Sequence, residues 1–149
     1  MNKVLNAIAS VMLIMAFGCK PEIRPIEYGQ QACDYCRMSI VDERYAAQLV
    51  TNTGKAYSFD AIECMINYKH ENSDNEWHME LVTDYNNPRK LIPAGDAVIV
   101  RSKQLPSPMG MYLTAVANKI EADKLLQNNS GEQYPYPQVA TGLDNLPAL

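Results

Sequence analysis

Cys33, Asp34, Tyr35, Cys36, Arg37 and Met38 form a C-x-x-C-x-M run. Such a pair of thiols can be a redox couple, half of a zinc site, or part of a soft-metal site. A thioredoxin-type couple sits at a helix start, where the dipole lowers a thiol pKa. The residues after Met38, "SIVDERYAA", begin no helix. Zinc needs two further ligands, and Cys64, His70 and His78 offer no second pair at finger-like spacing. A purely structural alternative has Cys33 and Cys36 oxidised to each other and Cys64 buried and inert. Thioethers add another possibility. Met38 follows Cys36, Met65 follows Cys64, and "PSPMGM" carries Met109 and Met111. Thiolates mixed with thioethers select Cu(I) over zinc, calcium or magnesium.

The sulfur residues are not equivalent. Met38 and Met109 lie in or beside loops, where a large apolar side chain has little structural purpose. Met65 falls on the apolar stripe of a helix and Met111 on the apolar face of a strand, so both read as core. Cys64 adjoins that stripe and suits either a ligand or a small buried hydrophobe. His78 falls on a polar strand face and reads as solvated. His70, near a helix C-terminus, reads as a partner of the helix dipole.

Residues 1–18 carry Lys3, an apolar run and a small residue, Gly18, before Cys19. This is a signal peptide, too short for a comfortable membrane span. The junction resembles a lipoprotein cleavage site, with Ala16 where Leu is preferred. Acylation of Cys19 would anchor the chain on the periplasmic face of the cell envelope, each buried CH₂ contributing about 0.8 kcal/mol. Cys33, Cys36 and Cys64 then remain, and three thiols cannot all pair within one chain. The formal net charge is −4 and no Lys/Arg cluster is present, which argues against a nucleic-acid partner.

Residues 19–32, with two prolines, read as a lipid-anchored tether, and 137–149 as a flexible tail. Between them two stretches repeat one order of elements. In 33–92, "RYAAQLV", the turn "TNTG" and "KAYSF" suggest a hairpin, with Tyr57 and Phe59 on one face. Asp60 and Glu63 make a capping-box pattern opening the helix "DAIECMINYKHE". "WHMELVTDY" then alternates, with Trp77, Met79, Leu81 and Tyr85 on its apolar face. In 93–136, "AVIVRS" and "MYLTAVA" are strands, Asn118 and Glu121 form a second capping box, and "NKIEADKLLQNN" is a helix with Ile120, Leu125 and Leu126 as its apolar residues. "EQYPY" is an edge strand because of Pro135. Aligning the caps sets "DAIE" against "NKIE". The fold expected is α+β: two similar β-β-α-β halves, with helices packed on antiparallel sheet.

A leader ending in Cys19, "CDYCRM" after a tether, "YSFDAIECMINY", and "MGMYLTAVANKIEADKL" in the second half together resemble the NosL family, the nitrous oxide reductase accessory lipoproteins. The resemblance covers most of the mature chain in order. It implies two β-β-α-β halves, Cu(I) as the metal, and delivery of copper to an apo-enzyme, nitrous oxide reductase, beside a membrane ABC-type transporter complex. The family's C-x-x-C-G-M matches Cys33, Cys36 and Met38, and its Met-Gly matches Met109 and Gly110. Cys64 matches only some members. Family sites centre on a Cys–Met pair with a His of variable position, which implies Cys36 with Met109, flanked by Cys33, Met38 and Cys64. Arg37 replaces the motif's Gly, which adopts φ > 0 at no steric cost. Some members end in a His-rich tail, unlike the apolar, proline-bearing end of this chain.

With no Ser/His/Asp set or positioned base, the chain reads as a metal carrier rather than an enzyme. The alternative is a thiol–disulfide oxidoreductase that uses Cys33 and Cys36 to keep a partner's metal-site cysteines reduced.

Overall fold

The computed structural model describes residues 20–148. The leader and Cys19 lie outside them. The first half contains β1 (Ala47–Thr51), β2 (Ala56–Phe59), helix α1 (Ile62–Glu71) and β3 (Trp77–Thr83). The second contains β5 (Val98–Arg101), β6 (Leu113–Val116), helix α2 (Lys119–Asn128) and β7 (Glu132–Pro135). A short strand, β4 (Leu91–Pro93), and a 3₁₀ turn (Ala94–Asp96) join the halves, and a short helix, α3 (Tyr136–Ala140), follows the second. The sheets run β2-β1-β3-β4 and β6-β5-β7, antiparallel throughout. Each half therefore places its first strand in the middle, its hairpin partner on one side and its post-helix strand on the other. The expected α+β architecture of two β-β-α-β halves is present.

The hairpin forms where "TNTG" places it. The Gly54 N–H donates to the Thr51 carbonyl at 3.0 Å, and Val50 pairs with Ala56. Tyr57 and Phe59 pair with Leu49 and Ala47, and all four turn toward α1. α1 lies in the main core between the two sheets. Ile62, Glu63, Cys64, Met65 and Ile66 are all buried, a consecutive run that one helix face cannot supply. The second sheet meets this core through Ile99, Leu113, Ala115 and Tyr134. Its other face, with Val100 and Val116, is covered by Ala122, Leu125 and Leu126 of α2. Ile120, expected among the apolar contacts of α2, is 66% exposed.

The faces of β3 differ from the alternation in its sequence. Val82 enters the main core opposite Ala47, and Glu80, opposite Leu49, accepts from Lys69 Nζ of α1 at 2.6 Å. Leu81 and Met79 lie on the reverse face. A bulge explains Trp77: Thr51 pairs with Trp77 and Val50 with Met79, so His78 is extra and Trp77 joins the α1 side. There it packs edge-on to Tyr57 and beside Tyr68. The reverse face is also occupied. Buried Gln48, opposite Leu81, accepts from the Arg24 N–H and donates to the Arg24 carbonyl, both at 2.9 Å. The stretch expected as a tether is thus held on the sheet at Arg24, and Ile26 and Tyr28 pack on the core.

The C-terminal stretch expected as a flexible tail carries most of α3. Val139 is fully buried, and Leu143 and Leu146 pack against the core. The Tyr136 hydroxyl donates to Glu80 at 2.7 Å. The few apolar residues of this tail are too sparse to set a period, yet Val139, Ala140, Leu143 and Leu146 all join the main core. His70 lies 2.9 Å from the Ala140 carbonyl through Nε2, so its partner is this segment rather than its own helix end.

Candidate metal centre

The C-x-x-C run is a closed loop pinned to the hairpin. An isolated bridge between Ala32 and Ser39 closes its base. The Cys33 N–H donates to the Met38 carbonyl at 2.8 Å, and the Arg37 N–H to the Cys33 carbonyl at 3.1 Å. Asp34 attaches the loop to β2: its N–H donates to the Ser58 carbonyl, and its carboxylate accepts from the Ser58 N–H at 2.7 Å. β2 leads directly to Asp60 and α1, so the loop comes to rest over the first turn of that helix. Arg37 has φ 68°. The loop keeps the left-handed conformation that glycine favours, and Arg bears the steric cost of its Cβ.

Cys33, Cys36, Asp60 and Cys64 converge, with one ligand atom from each all within 4.8 Å of one another. Cys33 and Cys64 are buried, Cys36 is partly exposed, and all three are free thiols. The Cys36 thiol points at Asp60 Oδ1, 3.6 Å away. The Cys64 thiol donates to Cys33, which is also surrounded by the backbone N–H groups of Asp60, Cys36 and Tyr35. These donors outweigh burial and lower the Cys33 pKa to about 6. Cys64 is pushed up, first because it donates to Cys33 and then by burial and Asp60. Burial pushes Cys36 up as well. Of the three, Cys33 is the thiol that its surroundings make easiest to ionise.

Asp60 is the residue that sequence reasoning misplaced. It does not cap α1: the N-cap is Ala61, with no side-chain hydrogen bond. Its partner in the expected capping box, Glu63, is buried and bonded to Ser107 of the second half instead. An Asp three residues before a Glu at a helix start fits a cap as well as this arrangement, and only the neighbouring loop decides between them. Met38 is 52% exposed at the end of the loop. Met109 is 38% exposed in a turn closed by the Gly110 N–H on the Ser107 carbonyl at 3.0 Å. Met65 is fully buried core, as its stripe position implies. The cluster contains neither histidine.

A two-halved α+β domain with a buried, mostly sulfur-lined cluster at the head of its central helix has the donor set of a soft-metal carrier. The NosL family model matches residues 26–143, and the chain belongs to that family. No curated protein matches it. The crystal structure of the copper chaperone NosL from Shewanella denitrificans has a similar fold, with TM-score 0.69 and 17% identity, over 81% of this chain and 97% of that one.

Proposed function

We propose that this protein is an extracytoplasmic Cu(I) metallochaperone, anchored to the cell envelope through acylated Cys19. It carries copper to an apo-enzyme, with nitrous oxide reductase the first acceptor to test, beside a membrane ABC-type transporter complex. The convergence of Cys33, Cys36 and Cys64 within 4.8 Å carries this reading. Family membership and the fold shared with a protein described as a copper chaperone support it. Soft sulfur donors suit Cu(I), and a metal displaces thiol protons on binding. The ligands assigned are Cys36 and Met109, with Cys33, Met38 and Cys64 beside them. Transfer proceeds by ligand exchange: partly exposed Cys36 and exposed Met38 and Met109 meet the acceptor first, and the buried thiols let go last.

The oxidoreductase reading fits the same cluster less well. An attacking thiol must be both ionised and accessible. Here Cys33 has the lowered pKa but is fully buried, while partly exposed Cys36 has a raised one.

Anaerobic Cu(I) competition titration of the reduced, detergent-solubilised full chain is the test. Tight binding of one equivalent, weakened in Cys36→Ser and Met109→Ala, is expected. A chain that retains no Cu(I) but exchanges disulfides would favour the oxidoreductase. For the anchor, Cys19→Ala should release the protein from membranes after high-salt washing, and retention would refute acylation at that site.

A further inference from the structure

Glu63 occupies the first turn of α1, where an acidic side chain normally faces solvent beside the positive end of the helix. Here it is 2% exposed. The Ser107 hydroxyl donates to its Oε1, and the Tyr112 N–H donates to Ser107 Oγ at 2.9 Å. The backbone N–H groups of Met111 and Leu113 face the same carboxyl. The 107–113 loop of the second half is therefore tied to one side chain of the first through Ser107. Pro108, Met109 and Gly110 form the exposed tip of this loop, and Met109 carries its one sulfur there. Tyr112 has φ 64°, a left-handed conformation that a non-glycine residue keeps only where its surroundings hold it. The hydrogen bond from its N–H through Ser107 to Glu63 is such a restraint. Glu63 also directly precedes Cys64 and lies outside the group of four convergent ligands.

We propose that Glu63 is a positioning residue: it fastens the 107–113 loop to the turn of α1 that carries Cys64, and so sets where Met109 stands relative to the thiols without touching the metal. This rests on the reading above in which Met109 is a thioether donor. Glu63 Oε2 is buried without a hydrogen-bond partner, so the directional hold on this side chain is the Ser107 hydroxyl on Oε1, a buried bond whose loss would leave both groups unpaired.

A double-mutant cycle on Cu(I) affinity of the reduced, detergent-solubilised full chain tests it. Glu63→Leu and Ser107→Ala should each weaken binding about tenfold. Met109→Ala should weaken it at least as much, and Glu63→Leu with Met109→Ala no further than Met109→Ala alone. Glu63→Gln, which keeps an acceptor for Ser107, should recover most of the affinity. The ¹³C resonance of the Met109 methyl should move toward that of a mobile methionine in Ser107→Ala. Should Glu63→Leu fail to fold, Ser107→Ala and the methyl resonance decide. Additive losses, or an unchanged methyl resonance in Ser107→Ala, would overturn the proposal. Tight wild-type binding that Met109→Ala leaves intact overturns it alone, whereas a wild-type chain that binds no Cu(I) overturns the chaperone reading.

Discussion

The two halves share a topology but use their helices differently. In the second half, Asn118 caps α2 by accepting from the Glu121 N–H at 3.1 Å, and the helix lies on the outer face of its sheet with only Ala122 buried. In the first half, α1 starts at Ala61 without a side-chain cap and is enclosed by both sheets. Counting from strand end to helix start, Ala61 corresponds to Asn118, Asp60 to Ala117, Cys64 to Glu121 and Met65 to Ala122. The capping patterns therefore align one residue out of register with the structure. That offset shapes the cluster. Ala61 takes the cap position and leaves Asp60 free to face Cys36, while the third helical position becomes Cys64 rather than a solvated Glu. One copy of the unit keeps a conventional helix start; the other gives it up to a cluster of sulfur.

The largest test of this difference exchanges the third helical position. Cys64→Ser should lower Cu(I) affinity at least about 100-fold, since even loss of a group behind a ligand can cost 10–100-fold. Glu121→Ala should leave it unchanged, both read by anaerobic competition titration. Core truncation should separate the helices next. Met65→Ala should cost about 2–5 kcal/mol by chemical denaturation, whereas Ile120→Ala, at an exposed site of α2, should stay within about 0.5 kcal/mol.

The lowered pKa of Cys33 in the first half gives a pH signature. Between pH 6 and 8 the unfolded chain keeps the Cys33 proton that the folded chain has lost. Stability of the reduced, metal-free protein should therefore rise with pH across this window, by at most about 1.4 kcal/mol per pH unit. Above pH 9 the raised Cys36 and Cys64 should reverse the trend. The rising limb should vanish in Cys33→Ser; a slope that persists there would assign the effect elsewhere. Asn118→Ala should cost about 1 kcal/mol, the loss of one N-cap, and Ala61 has no such bond to lose. The smallest effect concerns the loop: Arg37→Gly should be neutral to about 1 kcal/mol stabilising, because it relieves the φ 68° strain but adds unfolded-state entropy.

Much of the fold was legible because local signals and tertiary structure agreed. The hairpin turn and both helices satisfy most of their backbone groups locally, and the β-rich "AVIVRS" supplies the middle strand that β6 and β7 pair with. β3 was harder to read. Its alternation points Met79 and Leu81 inward, but Gln48 and the Arg24 backbone cover that face as well, and the His78 bulge turns Trp77 across. A strand buried on both faces has no single apolar side for a period to reveal. β4 is three residues long and pairs only with β3, too short to carry a pattern.

The candidate site divides in the same way. The sequence by itself determined the sulfur inventory, the C-x-x-C loop that holds Cys33 and Cys36, and the helical turn that holds Cys64. Those follow from composition and short-range spacing. Only the tertiary structure decided that Asp34 pins the loop to β2, that Asp60 faces sulfur instead of capping a helix, and that Glu63 is buried against Ser107. Each of these acidic residues would be equally at home in solvent. Its partner lies 24 residues away for Asp34 and Asp60, within the first half, and 44 for Glu63, in the second, and no local period encodes contacts made between segments so far apart in the chain.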